Sequence, residues 1–333
     1  MKTAVLAAGA WGSALALSFV RQHAVALWAR EHDLVEDIRI KRENSVFLPS
    51  FPFPDALAVT ADFAEALRDA ALIVIATPIA GLRPTLLRLR EHYAGQIPPP
   101  LLWVCKGFEA ESGKLPHVVL EEVFCDIDRR PAHGALSGPS FAQDVAAGLP
   151  TAITLASRDM AFARQAAQTL HGGNLRIYAS DDLIGVEVGG ALKNILAIAT
   201  GVCDGLELGA NARAALMTRG LAEIARLGLA LGGKKDTFLG LSGAGDLILT
   251  CTGNLSRNRR VGLELARGKK LPAILAELGH VAEGVPTAKE ASRLAAEKNI
   301  EMPITAAVVD LLQGRISPRD AVAGLLARDP AEE

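Results

Sequence analysis

The first thirty residues constrain the fold of this chain more than any other stretch. MKTAVLAAGAWGSALALSFVRQHAVALWAR predicts a short buried strand over residues 3–7, a glycine turn, an apolar helix over 13–20 and a second strand over 24–28. Ala7, Gly9 and Gly12 occupy the three glycine positions of G-x-G-x-x-G, and strand–turn–helix–strand is the context that this fingerprint requires. The stretch therefore predicts a dinucleotide-binding unit.

An export signal or membrane anchor is the alternative interpretation, because residues 3–20 carry no charge and follow Lys2. A signal needs a continuous apolar helix, which four residues here interrupt: Gly9, Trp11, Gly12 and Ser13. The second strand after the helix also favours the nucleotide interpretation.

Ala7 stands where the fingerprint has its first glycine. That glycine eases the tight turn, whereas the second admits the pyrophosphate and the third allows close packing of helix on strand. A methyl group at position 7 is harmful only if the residue needs a positive φ. We expect a negative φ at this strand end, and we therefore expect Ala7 to be tolerated.

Length, charge and cysteines limit the classes of protein that remain. A chain of 333 residues favours two domains, and a net charge of −2 argues against non-specific nucleic-acid binding. Beyond residue 20 no uncharged run is long enough to span a membrane. Four scattered cysteines suit a reducing, cytoplasmic compartment, and no motif predicts a metal site.

Further strands are predicted at 57–60, 72–76, 101–105, 134–137, 151–155 and 175–179, with helices between most of them, for example at 63–70, 82–93 and 160–170. This alternation predicts an α/β fold, a Rossmann-like and mostly parallel sheet covered on both faces. From Asp182 onward the apolar spacing is helical to the end. The predicted domains are 1–180, dinucleotide-binding, and 181–333, an all-α substrate and catalytic domain.

Ligands of open parallel sheets bind beyond the carboxyl ends of the strands. Candidate residues there are Thr77-Pro78, Lys106 and the stretch 137–140, SGPS. The prolines and Ser140 could simply start or cap helices. A purely structural role explains Lys106 less well, because it directly follows an apolar strand at the expected mouth of the site.

Lys193 and Asn194 lie inside a long helix of apolar and small residues, 181–201. A lysine there often extends to the surface, which is one interpretation. The other is a buried lysine whose pKa desolvation lowers, so that it can act as a base. Gly189 and Gly190, on the same helical face, would then leave room for a ligand.

The stretch 240–268 offers a second group of candidates. Asp246 follows a glycine-rich turn and could be only a helix cap. Residues 256–260, SRNRR, precede a helix predicted from Val261, and their donors predict a phosphate site. A solvated basic face is the alternative.

Together these stretches resemble the bacterial NAD(P)-dependent sn-glycerol-3-phosphate dehydrogenase family. The resemblance covers almost the whole chain and is carried by AAGAWGSALA, FLPSFPFP, VCKGFE, SGPSFAQDVAAGLPTA, GGALKN, GANARAAL, GAGDLILTCT, SRNRR and VAEG with the later MPIT. It implies a nucleotide-binding domain followed by a helical domain like that of 6-phosphogluconate dehydrogenases.

The resemblance implies reversible reduction of dihydroxyacetone phosphate to sn-glycerol 3-phosphate, which supplies the glycerophospholipid backbone. Lys193 matches the catalytic base. The matches to cofactor contacts are Gly9, Ala10, Trp11, Gly12, Arg30, Lys106, Ala142, Arg257, Val281 and Glu283. The matches to substrate contacts are Lys106, Gly138, Ser140, Lys193, Asp246, Ser256, Arg257 and Asn258. Ala7 and Ala10 depart from the family pattern, and Ala10 stands where serine is frequent.

Arg30 at the end of the second strand suits the 2′-phosphate of NADPH, so NADPH is the expected cofactor, with some use of NADH if Glu31 turns inward. The expected partner is the small substrate, with neither nucleic acid nor membrane insertion, and a homodimer is left open. Two alternatives remain: a reductase of another phosphorylated or hydroxy-acid substrate, and a non-catalytic nucleotide-binding redox sensor.

Overall fold

The computed structural model describes residues 1–94, 96–126 and 130–327. The chain divides into two compact units. The first comprises Met1–Lys106 and Pro116–Leu183, and the second comprises Gly107–Leu115 and Ile184–Glu333. The roles assigned to the predicted domains 1–180 and 181–333 stay predictions, and residues 328–333 of the second lie outside the described residues.

In its described residues the first unit has ten strands: β1 (Lys2–Leu6), β2 (Ala24–Trp28), β3 (Glu43–Asn44), β4 (Leu48–Pro52), β5 (Leu57–Thr60), β6 (Leu72–Ile75), β7 (Leu101–Trp103), β8 (His133–Ser137), β9 (Thr151–Ala156) and β10 (Leu175–Ser180). Eight of them form one sheet in the order β10-β9-β8-β7-β6-β1-β2-β5. Strand β1 is an interior strand, with Val5 opposite Leu27 on one side and Val74 on the other. The expected Rossmann-like fold is confirmed.

The described part of this unit also has seven helices: α1 (Ala10–Phe19), α2 (His32–Lys41), α3 (Phe63–Leu67), α4 (Ile79–Tyr93), α5 (Pro116–Val123), α6 (Ala142–Ala146) and α7 (Met160–Leu170). Asp62 and Asp159 start α3 and α7, because each carboxylate accepts two backbone N–H bonds of the first turn. The central strands are apolar along their length and buried, as strands covered on both faces must be.

Two features of the first unit were not predicted. Strand β9 pairs antiparallel with β8, whereas every other pair in the large sheet is parallel. Strands β3 and β4 form a separate antiparallel hairpin. Apolar periodicity reports which face of a strand is buried and not the direction in which it runs, so it could not separate these cases.

The second unit is helical in the part of the chain that the structure describes. Its helices are α8 (Leu183–Gly205), α9 (Gly209–Ala230), α10 (Lys235–Leu239), α11 (Asp246–Thr252), α12 (Arg257–Ala266), α13 (Leu271–Leu278), α14 (Gly284–Glu297), α15 (Pro303–Leu312) and α16 (Pro318–Leu326), with a π-helical turn at Leu241–Gly245. Among the described helices α8 alone is long and apolar enough to cross a membrane, and it is mostly buried, as the core helix of a folded domain would be.

The strand order reverses beside β1, because the chain passes from β1 through β2 to β5 and then returns to β6 on the other side of β1. Open α/β sheets bind ligands outside the carboxyl ends of the strands at such a reversal. The turn between β1 and α1 is therefore at the position where the fold itself favours a ligand.

Candidate active site

The turn after β1 has the geometry of a phosphate-binding turn. Gly9 precedes α1 with no side-chain cap, and the Ser13 N–H donates to the Gly9 carbonyl at 2.9 Å. A Cβ on Gly12 would lie 2.0 Å from the Ala7 carbonyl oxygen, so only glycine lets α1 pack this closely on the strand end. A Cβ on Gly9 would meet nothing within 4 Å, which leaves open space where a pyrophosphate would approach the backbone.

Ala7 is where the expectation from the sequence is wrong. Its φ is +97°, although a negative value was expected. The chain leaves β1 with the Ala7 N–H donating to the Trp28 carbonyl at 2.9 Å and must then turn sharply into α1. A non-glycine residue in such a region costs on the order of 1–3 kcal/mol. The turn therefore keeps its shape under strain.

Arg30 follows β2 and is exposed, and its guanidinium donates twice to Oε1 of Glu31, at 2.9 and 3.1 Å. Exposed ion pairs contribute about 0–1 kcal/mol, so this one is easily exchanged for another anion. Both side chains stand at the end of β2, where the ribose of a dinucleotide is selected.

Lys106, Gly138 and Ser140 lie together at the neighbouring ends of β7 and β8. The Lys106 Nζ donates to the Gly138 carbonyl at 3.3 Å, and the Ser140 Oγ donates to the same oxygen at 3.2 Å. All three are at the carboxyl end of the parallel strands. Ala142 begins α6 shortly afterwards.

Lys193 is buried in α8, with 7% of its surface exposed, so the interpretation that it extends to the surface is wrong. Its Nζ donates to Oδ1 of Asp246 at 2.5 Å and to Oγ1 of Thr250 at 2.7 Å. Asp246 is the first residue of α11 rather than its N-cap, which is Gly245. Removing either partner of a buried pair leaves an uncompensated charge, so this arrangement is held tightly.

Thr250 was not singled out from the sequence. It lies one helical turn after Asp246 on the same face of α11, and its Oγ1 also donates to the Asp246 carbonyl at 2.6 Å. The i, i+4 spacing of an acid and a hydroxyl was the signal that could have identified it.

Asn194 does not orient the lysine. Its Oδ1 accepts a hydrogen bond from Nδ2 of Asn258 at 2.9 Å, and Oδ1 of Asn258 accepts one from the Gly284 N–H at 2.9 Å. Asn258 therefore connects the residue after Lys193 to the start of α14. Glu283 immediately precedes that helix, and Val281 is exposed in the segment before it.

The room expected beside Gly189 is filled. A Cβ on Gly189 would lie 2.4 Å from the Ser242 carbonyl oxygen, because the π-helical turn packs directly against α8 there. Gly189 therefore permits close packing of two chain segments. The prediction that it leaves room for a ligand is wrong.

The basic cluster starts a helix earlier than predicted, because α12 begins at Arg257 rather than at Val261. Ser256 is its N-cap, and its Oγ accepts a bond from the Arg259 N–H at 3.2 Å. The local sequence favours this start, since serine is a preferred N-cap. Arg257 is the first helical residue, and its side chain is exposed. Desolvation by the surrounding chain lowers the pKa of its guanidinium, and the charge of Glu283 opposes part of this shift.

Arg259 points away from that helix start. Its Nη2 and Nε donate to Oδ2 of Asp204 at 2.6 and 2.9 Å, while Arg213 donates to the other oxygen at 3.0 Å. The whole basic cluster is therefore not a solvated face, because Arg259 forms a partly buried ion pair with Asp204 that links α12 to α8.

The backbones of α8 and α12 touch beside this tie. A Cβ on Gly201 would lie 2.1 Å from the Arg259 carbonyl oxygen, and one on Gly262 would lie 2.0 Å from that of Ile198. Glycine at both positions brings the first turn of α12 close to the helix that carries Lys193.

Cys251 is buried in α11 next to these groups, and desolvation raises the pKa of its thiol to about 11. The thiol therefore stays protonated near neutral pH and is no nucleophile there. Among the residues that the structure describes, no three acidic, histidine or cysteine side chains come together as a metal site would need.

The fold and the two residue groups define a class: a Rossmann-like unit with a glycine turn, followed by a helical unit that holds a buried lysine–aspartate pair. Comparison with known proteins narrows this class. A family model described as "NAD-dependent glycerol-3-phosphate dehydrogenase N-terminus" matches residues 2–163, and the corresponding C-terminus model matches residues 182–323. The chain belongs to this family.

Curated relatives agree over the full length. A glycerol-3-phosphate dehydrogenase [NAD(P)+] of Dechloromonas aromatica (strain RCB) is 62% identical over 100% of this chain and 99% of its own length. One of Aromatoleum aromaticum is 55% identical over 100% of both chains. The crystal structure of glycerol-3-phosphate dehydrogenase from Coxiella burnetii has a TM-score of 0.92 and 41% identity, covering 98% of this chain and 99% of that one.

Proposed function

We propose that the protein reduces dihydroxyacetone phosphate to sn-glycerol 3-phosphate with NADPH or NADH, and catalyses the reverse oxidation. The observation that carries the proposal is a buried cluster in a member of this family. In it the Lys193 Nζ lies 2.5 Å from Oδ1 of Asp246 and 2.7 Å from Oγ1 of Thr250. A buried ion pair is costly to desolvate, and a catalytic role explains why the chain keeps one.

In this proposal Lys193 is the proton donor. A bound nicotinamide would provide the hydride for C2 of the ketone, and the ketone oxygen would then need one proton. The Lys193 ammonium gives that proton, so that one ketone, one hydride and one proton yield one alcohol and the oxidised cofactor. Asp246 and Thr250 hold the amine in place, and the same amine accepts the proton in the oxidation.

Arg257 would bind the substrate phosphate. It stands exposed at the start of α12, where backbone N–H groups and a guanidinium together favour an anion. Ser256 and Asn258 would add donors. The Ser256 hydroxyl accepts as an N-cap and can still donate, and the Asn258 amide uses one of its two N–H donors for Asn194.

The cofactor would lie on the turn between β1 and α1, where Gly9, Ala10, Trp11 and Gly12 present backbone. The open space above Gly9 fits a pyrophosphate. Arg30 would bind the 2′-phosphate of NADPH and would give up its ion pair with Glu31 to do so. We assign Ala142, Val281 and Glu283 to the cofactor, Lys106 and Arg257 to both ligands, and Gly138 and Ser140 to the substrate.

We also infer a cytoplasmic location and no membrane insertion. All four cysteines are free thiols, which suits a reducing compartment, and the one long apolar helix is a core helix.

The decisive experiment follows NADPH and NADH oxidation with dihydroxyacetone phosphate, and uses dihydroxyacetone and a non-phosphorylated 2-keto acid as controls. We expect kcat/KM for the phosphate ester to exceed that of dihydroxyacetone by at least about a thousandfold, because a site built for polar groups rejects a ligand that lacks them. Faster turnover of the keto acid would favour a hydroxy-acid reductase. NADPH binding without any turnover would favour a redox sensor.

A further inference from the structure

Asn44 is a fully buried amide in the hairpin β3–β4, and the proposed mechanism does not use it. None of its surface is exposed. Its Nδ2 donates to the Ala8 carbonyl at 2.7 Å and contacts the Ser13 Oγ at 2.9 Å, while its Oδ1 accepts from the Phe47 N–H at 3.1 Å. Both amide donors therefore point away from the hairpin, toward the turn that follows β1.

The two groups that Asn44 binds enclose the turn. Ala8 follows the strained Ala7 directly, and Ser13 lies in the first turn of α1, one residue beyond Gly12. A residue at an unfavourable φ keeps it only when its surroundings fix the chain on both sides. On one side the Ala7 N–H is held by the Trp28 carbonyl at 2.9 Å. On the other side Asn44 holds the carbonyl of Ala8.

The orientation of the amide is determined by these bonds. If the amide were reversed, its oxygen would face the Ala8 carbonyl oxygen, and its NH₂ group would face the Phe47 N–H. Asn44 therefore presents its donors to the turn in one arrangement only, and a hydrogen bond made by a buried group is costly to lose.

We propose that Asn44 is a positioning residue for the dinucleotide: it holds the Ala7–Gly9 backbone in the conformation that accepts the pyrophosphate, without touching the cofactor. The inference rests on the proposed cofactor site. It also explains how the chain uses alanine where the fingerprint has glycine, because the hairpin fixes a conformation that alanine by itself disfavours.

The test compares Asn44→Asp with Leu48→Ala. Aspartate keeps the shape of the amide and the acceptor for Phe47, but it replaces the donor that faces the Ala8 carbonyl with an acceptor. Leu48 belongs to the same hairpin, is fully buried in the core and has no hydrogen bond to the turn through its side chain. The readouts are the NADPH dissociation constant from fluorescence titration, the melting temperature, and KM for dihydroxyacetone phosphate at saturating NADPH.

Asn44→Asp is expected to raise the NADPH dissociation constant about tenfold, because losing a buried hydrogen bond has an effect of that order. KM for dihydroxyacetone phosphate should change by less than about twofold, since the substrate phosphate site is elsewhere. Leu48→Ala should lower the melting temperature by several degrees, at least as much as Asn44→Asp does. Its NADPH dissociation constant should remain almost unchanged. Equal effects of the two variants on NADPH affinity would overturn the proposal.

Rescue by glycine gives the sharper test. Ala7→Gly alone should change NADPH affinity by less than about twofold, because the turn is already held. In the Asn44→Asp background it should restore most of the lost affinity, since glycine adopts the conformation without being forced. A purely structural role for Asn44 predicts no rescue, and absence of rescue would overturn the proposal. If Asn44→Asp does not fold, Asn44→Ala removes the same donors without adding a charge and is subject to the same comparison.

Failure of this inference is distinguishable from failure of the proposed function. If the unmodified protein binds no NADPH or NADH, the proposed function is wrong. If it binds NADPH and Asn44→Asp binds it equally well, only the role of Asn44 is wrong.

Discussion

The two proposed sites, the turn after β1 and the cluster around Lys193, are built in opposite ways. At the turn the groups proposed to bind the cofactor are backbone atoms of small residues, and the proposed site needs the open space beside Gly9. In the cluster they are side chains, buried and bonded to one another across helices α8 and α11. The first group needs space, whereas the second needs partners. Substitutions should therefore affect cofactor affinity at the turn and the chemical step in the Lys193 cluster.

The largest effect is expected for Lys193→Met. Loss of positioned acid–base catalysis should lower kcat by about 10²–10⁴-fold or more, with the NADPH dissociation constant nearly unchanged. Stopped-flow measurement of hydride transfer, with NADPH titration beside it, checks both.

Folding needs a control, because Lys193→Met leaves the Asp246 carboxylate buried without its partner, which costs about 3–5 kcal/mol. The double variant Lys193→Met/Asp246→Asn removes both charges and should recover stability but not turnover. A folded single variant that keeps more than roughly a tenth of the turnover, with chemistry rate-limiting, would exclude Lys193 as the base. Lys106 would be the next candidate.

Arg257→Ala is expected to have the next largest effect, a rise in KM for dihydroxyacetone phosphate of about 10–100-fold, since hydrogen bonds to charged groups contribute about 1.5–3 kcal/mol. Arg260→Ala is the matched control and should change KM by less than about threefold. Arg260 is the fourth residue of α12, and its backbone N–H already donates to the Ser256 carbonyl at 3.0 Å, so it lies past the helix end that is proposed to bind the phosphate.

Arg259 would be an unsuitable control, because its ion pair with Asp204 ties α12 to α8. If steady-state kinetics gave the same KM for Arg257→Ala and Arg260→Ala, the proposed phosphate site would be wrong. The comparison also separates side-chain recognition in the helical unit from mere surface charge.

A smaller and more selective effect is expected for Arg30→Ala. NADPH should bind about tenfold more weakly, and NADH should bind almost as before, since only NADPH carries the 2′-phosphate. Titration with both cofactors measures this. Glu31→Gln should strengthen NADPH binding by less than about threefold, because the ion pair that it removes is exposed. Equal losses for both cofactors on changing Arg30 would remove it from the 2′-phosphate site.

The smallest effect is expected for Ala7→Gly. Relief of backbone strain, on the order of 1–3 kcal/mol, outweighs the extra chain entropy of glycine, about 0.5–1 kcal/mol, so the variant should be more stable by about 1 kcal/mol. A rise in melting temperature of roughly 2–4 °C is the measurement, with Ala10→Gly as a control that should not stabilise. An unchanged or lower melting temperature would show that the surroundings accommodate the alanine without cost.

The same contrast explains what the sequence could predict. The strand–turn–helix alternation identified the Rossmann-like unit, because it depends on residues close together in the chain. The antiparallel direction of β9 and the positive φ of Ala7 depend on packing against distant segments. The sequence therefore yielded no prediction for the first and a wrong one for the second. Lys193 and Asp246 were recognisable as candidates, but they are 53 residues apart, and their contact could only be seen in the structure.

The glycine crossing of α8 and α12 has a consequence for substrate choice. Gly201 and Gly262 bring the backbones of α8 and α12 into direct contact. The distance between the start of α12, proposed to bind the phosphate, and Lys193, the proposed proton donor, is therefore set by the main chain rather than by side chains. Substituting side chains that line the site would change its polarity but not this distance. We therefore expect that acceptance of a phosphorylated ketone with a longer carbon chain would require moving one helix relative to the other, starting with a larger residue at position 262.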